Sequence, residues 1–363
     1  MNARFLAFFS LSLMVLLFLT ACKERQVKRC YYYWANGKFP GPVEEILLKT
    51  HHIQKIYAKL MDIDWDEMNH AYPVSLNPMI ELVWRLTARD SLPLRVVPVV
   101  FITNKTFEKI DSSEIPLLAI RVLRNCFERY DSTDHEYRDY APTNFHFVPE
   151  EIQFDCDWTT GTASKYFYFL SIVKSKLPNH HTIISSTIRL HQFKYPGKTG
   201  IPPVTRGMLM VYNISDLTKY SPVNSIFDYD KARAYFTNIK KYPLPLDIAL
   251  PAYSWGIIFR NQKFYMIENG LTEESLGNGS FVKSTQAGFY AVTQDTVFHN
   301  VFLRPGDEIK IEKIGESDLL QAASLARKAL NNDSLNISLF DLSAAIKNNY
   351  RYETIEQVYN NFK

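Results

Sequence analysis

A closed (β/α)8 barrel of the TIM type, within the α/β class, is the fold this sequence predicts, and three observations carry the prediction. Eight short runs rich in β-branched and aromatic residues recur along the 363 residues, most of them followed by a stretch with helical spacing; a doubly wound open sheet usually stops sooner. The composition is 46% apolar, 14% aromatic and 22% charged, enough for one sizeable core and incompatible with disorder or a low-complexity fibre. Between the seventh and eighth runs lies an interval of roughly 80 residues, longer than a crossover helix needs.

The chain opens with an address. Arg4 precedes the apolar run 5–19, and Leu19-Thr20-Ala21-Cys22 follows. A basic start, a short apolar stretch and small residues before a break form a secretory signal peptide. The run is shorter than the ~20 apolar residues a spanning helix needs, although an uncleaved helical anchor is the alternative. Leu19–Cys22 is similar to a bacterial lipobox, in which the cysteine is acylated by palmitate-type chains and becomes the first residue. Residues 1–21 are then the signal peptide and 22–363 the barrel, and acylated Cys22 makes the lipid bilayer a partner.

The barrel units follow in order. The first strand is read at 30–34 with a helix from 43 to 49, the second at 53–60 with a helix from 77 to 89, and the third at 95–102 with a helix from 115 to 130. The fourth strand is 151–155, followed by a helix from 163 to 176. The fifth is 182–188, after which Pro196-Gly197, Gly200 and Pro202-Pro203 predict a crossover that is mostly loop. The sixth is 207–212 with a helix from 228 to 240, the seventh 246–251 and the eighth 335–340, before a terminal helix near 355–360. In the long interval, β-rich segments at 262–267, 288–292, 301–303 and 309–312 and the Pro305-Gly306 turn predict an insertion at about 262–317, with a crossover helix from 319 to 330.

The charge balance excludes some partners. With 41 basic against 38 acidic side chains and a net charge of +3, nothing implies nucleic acid. Cys30, Cys126 and Cys156 form no close pair, so a metal cluster or CxxC redox site is excluded, and Cys156 is read as buried packing. No phosphate-cradling glycine loop, nucleophile elbow or zinc helix occurs, so the reading includes neither metal nor cofactor.

Chemistry in such a barrel belongs to the C-terminal strand ends. There Asp155 and Asp157 stand two apart at the end of the fourth strand, on one face. Two close carboxylates repel as anions, which raises one pKa toward proton-donor duty; the plainer reading has Asp157 capping the next turn and Asp155 paired with a barrel arginine or tyrosine. Arg189 and His191 lie past the fifth strand, and Arg189 is placed to pair with Asp155 or to meet an anionic substituent. Aromatics cluster at the same ends: Tyr31, Tyr33 and Trp34, then Trp158, Tyr212, Tyr253 and Trp255. Flat aromatic walls beside hydrogen-bonding carboxylates suit sugar rings, so a glycan is the expected ligand.

Asp155-Cys156-Asp157-Trp158-Thr159 resembles the end of the fourth-strand signature of the family 18 glycoside hydrolases, which runs Asp, apolar, Asp, apolar or aromatic, Glu. Met210-Val211-Tyr212-Asn213 is similar to that family's sixth-strand Met-x-Tyr-Asp. The resemblance implies that Asp155 is the inner aspartate, that Asp157 orients a substrate acetamido group, and that Tyr212 hydrogen-bonds the same group. It also implies an α-plus-β insertion after the seventh strand. Two positions depart: Thr159 stands where the acid Glu belongs, and Asn213 where the Asp does. A hydroxyl cannot serve as general acid near neutral pH, so either the barrel binds without cleaving or another carboxyl has taken over. The candidates are Asp62 and Asp64, then Glu268, then Asp341; Asp66 continues the second-strand set, and Glu150 and Glu151 belong to the opposite, stability face. The chain also resembles barrel lipoproteins of Bacteroides-type bacteria over most of its length, which implies no activity. Together these readings predict an envelope lipoprotein, periplasmic or surface-exposed, whose barrel mouth binds or processes a glycan. The alternative is a non-catalytic structural or docking subunit of an envelope assembly.

Overall fold

The computed structural model describes residues 25–89, 92–127, 147–277, 280–299 and 301–363. The signal segment and Cys22 lie outside the described residues. Eight parallel strands close on themselves: β1 (Gln26–Tyr33), β2 (Lys55–Asp66), β4 (Arg95–Ile102), β5 (Glu151–Asp155), β6 (Ile183–Arg189), β7 (Arg206–Met210), β8 (Leu246–Pro251) and β16 (Ser334–Phe340). β1 is the closing strand. It pairs with β16 from Gln26↔Ser334 to Tyr31↔Leu339 and with β2 from Cys30↔Lys55 to Tyr33↔Ala58. The (β/α)8 barrel is therefore complete.

Helices α1 (Pro42–Thr50), α2 (Met79–Trp84), α3 (Asn104–Lys109), α4 (Ile115–Cys126) and α5 (Ala163–Ser175) cover the first half. The fifth crossover holds only the short α6 (Leu190–Lys194) and α7 (Pro196–Thr199), as its proline and glycine content dictates. Then come α8 (Tyr229–Tyr235), α9 (Glu316–Arg327), α10 (Ala344–Asn349) and α11 (Tyr352–Asn360). Among the described residues no helix is long and apolar enough to cross a membrane.

Two elements differ from the sequence reading. The second strand does not stop at Leu60; it runs to Asp66 and folds back as β3 (His70–Leu76), antiparallel from Met61↔Leu76 to Asp66↔His70. Met61, Ile63 and Trp65 are buried while Asp62, Asp64 and Asp66 are half-exposed, so the alternating acids past Leu60 are the polar face of a hairpin. The insertion is a five-stranded antiparallel sheet in the order β10 (Lys263–Asn269), β9 (Ser254–Arg260), β15 (Asp307–Lys313), β12 (Phe289–Val292), β11 (Val282–Gln286), with a hairpin of β13 (Thr296–Phe298) and β14 (Val301–Leu303). Its first strand starts at Ser254, directly after the barrel strand β8. Gly256 admits a close approach there, since a Cβ would stand 2.6 Å from Leu271 Cδ2.

The barrel lumen is polar at its lower end. Lys55 Nζ donates to Glu151 Oε2 at 2.8 Å, Ser185 Oγ donates to Glu151 Oε1 at 2.7 Å, and Tyr32 reaches across to Gln153. Asp247 accepts from Arg206 Nη2 at 2.8 Å and from both the backbone and side chain of Asn336 at 2.7 Å. Each buried charge has an opposite partner, without which its desolvation would go uncompensated.

Candidate functional site

At the other end of the lumen β5 and β6 deliver the acids and their partners. Asp155 is 7% exposed and accepts from Thr187 Oγ1 at 2.6 Å. Burial, then the charge of Asp157, pushes its carboxyl up to about 6, against the opposing pull of Thr187 and Arg189. Asp157 is held on both oxygens: Arg189 Nε reaches Oδ1 at 2.5 Å and Nη2 reaches Oδ2 at 2.6 Å. This planar fork matches a carboxylate and fixes its orientation. Arg189 thus pairs with Asp157, not Asp155. Gln192 sets the spacing of the two strand ends, because its Oε1 accepts from Arg189 N at 2.7 Å and its Nε2 donates to Trp158 O at 3.0 Å.

β7 and β8 add the tyrosines. Tyr212 is 3% exposed, and its hydroxyl has no hydrogen-bond partner among the described residues. Burial, then the nearby Asp155 charge, holds its phenol well above the ordinary range, so it is a donor at any working pH. Asn213 occupies the left-handed region at φ 54°, which Asn tolerates, and its Oδ1 accepts from Tyr253 Oη at 2.6 Å. Here Asn213 orients a neighbouring tyrosine.

The floor of the mouth is an aromatic residue that the sequence reading missed. Phe340, the last residue of β16, has ring centroids 5.6 Å from Tyr32, 5.6 Å from Trp34, 5.5 Å from Tyr212 and 5.4 Å from Tyr253. Its position at the end of the eighth apolar run was the available signal. Lys59 was missed as well. Its Nζ lies 5.3 Å from the Trp34 ring and donates to Asp62 Oδ2 at 2.9 Å, adding a cation at the Trp34 side. Tyr32, not Tyr31 or Tyr33, is the inward tyrosine of β1; Tyr31 bonds His51 Nδ1 at 2.8 Å and Tyr33 bonds the Lys38 carbonyl at 3.0 Å.

The structure therefore brings together Asp155, Asp157, Arg189, Tyr212, Tyr253 and Trp34. It does not bring in Trp158, which is fully buried behind the barrel wall, stacked on Tyr166 at 5.3 Å with Nε1 donating to Thr199 O at 2.9 Å. Period two explains this: with Asp155 and Asp157 on the lumen side, Trp158 turns outward beneath α5. Trp255 is 6% exposed and committed to the insertion, where Nε1 donates to Glu312 Oε2 at 2.7 Å. Thr159 is exposed in the turn leading into α5, its backbone N–H donating to Thr162 Oγ1 at 2.9 Å.

Most of the alternative acids are engaged elsewhere. Asp62 also accepts from Ser75 at 2.7 Å, Asp64 from Thr103 at 2.6 Å, and Asp66 from the Met68 and Asn69 amides at 2.8 and 2.6 Å. Glu268 meets His299 Nδ1 at 3.2 Å within the insertion. Asp341 titrates near 6 because it is buried, and its charged neighbour is Glu44 of α1.

The insertion is clamped to the mouth by one buried carboxylate. Glu312 accepts from Trp255, from Ser225 N at 3.0 Å and from the Ser225 hydroxyl, and pairs with Lys310. Lys310 Nζ also donates to Val223 O at 2.7 Å, and Tyr220 packs on Phe259 and Phe289, both at 5.2 Å.

No family model and no curated protein matches the chain by sequence. Its backbone is similar to solved structures. Among them are a chitinase from Chromobacterium violaceum (TM-score 0.53, 10% identity, covering 92% of this chain and 98% of that one) and catalytic domain 2 of the group II chitinase of Ostrinia furnacalis (0.52, 10%, 93% and 96%). A third is the spore cortex-lytic enzyme SleL of Bacillus megaterium (0.50, 11%, 94% and 75%). At such identities the likeness is one of fold alone: a (β/α)8 barrel like those of these enzymes.

Proposed function

We propose that the protein is a cell-envelope lipoprotein, anchored by acylated Cys22, whose barrel mouth binds or processes a glycan carrying an N-acetyl group. One arrangement carries the reading: the Asp155 and Asp157 carboxyls beside the unpartnered Tyr212 hydroxyl, over the Phe340 floor with Trp34 and Tyr253 around it. A buried hydroxyl without a partner is a donor waiting for an acceptor. An acetamido carbonyl supplies that acceptor, its N–H suits a carboxylate, and the sugar's C–H face suits the phenyl ring. The resemblance of the two strand-end motifs gives the same roles to Asp157 and Tyr212. The secretory segment and the likeness of fold to a spore cortex-lytic enzyme fit an extracytoplasmic setting.

Binding is better supported than cleavage. The hydroxyl of Thr159 cannot protonate a leaving alkoxide near neutral pH, and Thr159 sits in an exposed turn. Two observations favour the second reading, a non-catalytic docking subunit: Trp255 is taken up by the insertion, and Val297 and Phe302 form an opposed cross-strand pair exposed by 69% and 56% on its hairpin. Calorimetry with N-acetylhexosamine oligomers, peptidoglycan fragments and neutral polysaccharides separates the two. The glycan reading expects at least one ligand, weakened tenfold or more by Asp157→Asn and by Tyr212→Phe, about the cost of one buried hydrogen bond to a charged or orphaned partner. If nothing binds and Asp157→Asn changes nothing, the docking reading stands.

A further inference from the structure

We propose that the end of the barrel where the strands begin lies on an anionic lipid surface, with Lys240, Lys241 and Lys328 taking phosphate-bearing headgroups into a cleft between the connections into β8 and β16. The proposal rests on the anchored-lipoprotein reading and adds an orientation to it.

The cleft has a volume of about 320 Å³ and is lined by residues 239–241 and 328–331. All three lysines are exposed and have no ion-pair partner among the described residues. The two walls are fixed relative to each other. Asn331 Nδ2 donates to the Tyr242 and Leu244 carbonyls at 2.9 and 2.8 Å, and its Oδ1 accepts from Leu246 N at 3.2 Å. The charge is thus held on a stitched frame, which lowers the ordering cost of binding.

The cleft is also next to the anchor. β8 pairs with β16 and β16 with β1, so the entrance to β1 is two strand spacings away, about 10 Å. Gln26 N donates to Asp333 O at 2.8 Å at the same end. Cys22 precedes Gln26 by four residues, which span at most ~14 Å. A lipid on Cys22 therefore holds the cleft close to the headgroups.

Among the described residues at the strand-start end, Glu150 is paired with Arg95 and Glu356 with Arg29, and Asp333 is exposed beside the three lysines, with Lys49 and Lys174 in the last turns of α1 and α5. The helix dipole accounts for one cation per helix end. It does not account for three converging on one cleft from two connections. At the opposite end Asp62 is paired with Lys59 and Asp157 with Arg189, and the mouth points away from the bilayer because it lies at the other end of the strands from the cleft.

The test is amine acetylation, read by mass spectrometry, of the full-length protein as isolated from membranes, on vesicles of phosphatidylcholine alone or mixed with phosphatidylglycerol. Lys240, Lys241 and Lys328 should react about fivefold more slowly or less on the anionic vesicles, and salt at about 0.5 M should restore the rate. Lys263 on the insertion should react equally on both. In the K240Q/K241Q variant Lys328 should lose most of its protection. Equal rates on both vesicles overturn the proposal, and protection by millimolar inorganic phosphate on phosphatidylcholine alone reassigns the cleft to a free anion. The same spectra report the mass of the Cys22 peptide. Acylated Cys22 with unprotected lysines sinks the orientation alone; unacylated Cys22 with protected lysines removes the anchor and leaves the surface; unacylated and unprotected overturns both.

Discussion

At Asp155 burial and the Asp157 charge favour the neutral carboxyl, while Thr187 and Arg189 favour the anion, and the group settles at about 6. Removing the cation by Arg189→Gln should move that value further up, measured by carboxyl infrared titration; a fall would mean that the two acids do not share a field. Asp247 tests the other end of the lumen. Burial, helped by Glu151 and opposed by Arg206, raises it to about 6. A carboxyl whose folded pKa lies above its unfolded value of 3.8 holds its proton more tightly when folded. It costs no stability below the lower value and its full cost above the higher one. Acidification from pH 7 to pH 4 should therefore recover about 2 kcal/mol from this group, seen as a higher urea midpoint, and Asp247→Asn should flatten that part of the curve. The inward parity of Asp155 and Asp157 was legible from period two alone. That Arg189 would choose Asp157 was not, since both acids lie within reach of β6 and only the fork geometry decides.

The insertion hangs on Glu312, at 2% exposure, which ties β15 to β9 and to the segment around Ser225. Glu312→Ala leaves Lys310 buried without its partner and should cost about 3 to 5 kcal/mol in thermal or urea unfolding, with a shift in Trp255 fluorescence. A loss under 1 kcal/mol would mean that the wall is held by its apolar contacts alone. The two tryptophans at the strand ends should part in behaviour. Trp158→Ala, in the packing under α5, should destabilise by about 3 to 5 kcal/mol, while Trp34→Ala at the half-buried mouth should act mainly on ligand affinity. In the same region Thr159→Glu should confer no N-acetylhexosaminidase activity, because the side chain belongs to an exposed turn; measurable turnover of a chromogenic substrate would refute that placement.

All eight barrel strands were legible as apolar runs, because a parallel sheet covered by helices on one side and packed within needs β-branched and aromatic residues almost continuously. What escaped was whatever depended on partners distant in sequence. The β2–β3 hairpin hid behind three aspartates, Phe340 looked like one more core residue, and β9 was concealed by the aromatics at 253 and 255 that suggested a rim. The two motifs at the ends of the fourth and sixth strands lie at one end of the barrel, and Thr159, at the position they mark as substituted, is exposed in the turn leading into α5.

The closure of the barrel by β1 has a mechanical side. This strand is the first described element after the expected anchor, and it is bonded to parallel neighbours on both sides, to β16 from Gln26 to Tyr31 and to β2 from Cys30 to Tyr33. A pull applied to the molecule through Cys22, by flow or by a glycan held at the mouth, runs along β1 and loads both ladders in shear, so that many hydrogen bonds must fail together. A tether at Cys22 would thus be joined to the strongest direction of the sheet. Under force spectroscopy the protein should yield at a markedly higher load when drawn between residue 22 and the mouth than when a handle at Phe302 peels the insertion hairpin, whose short strands open one pair at a time.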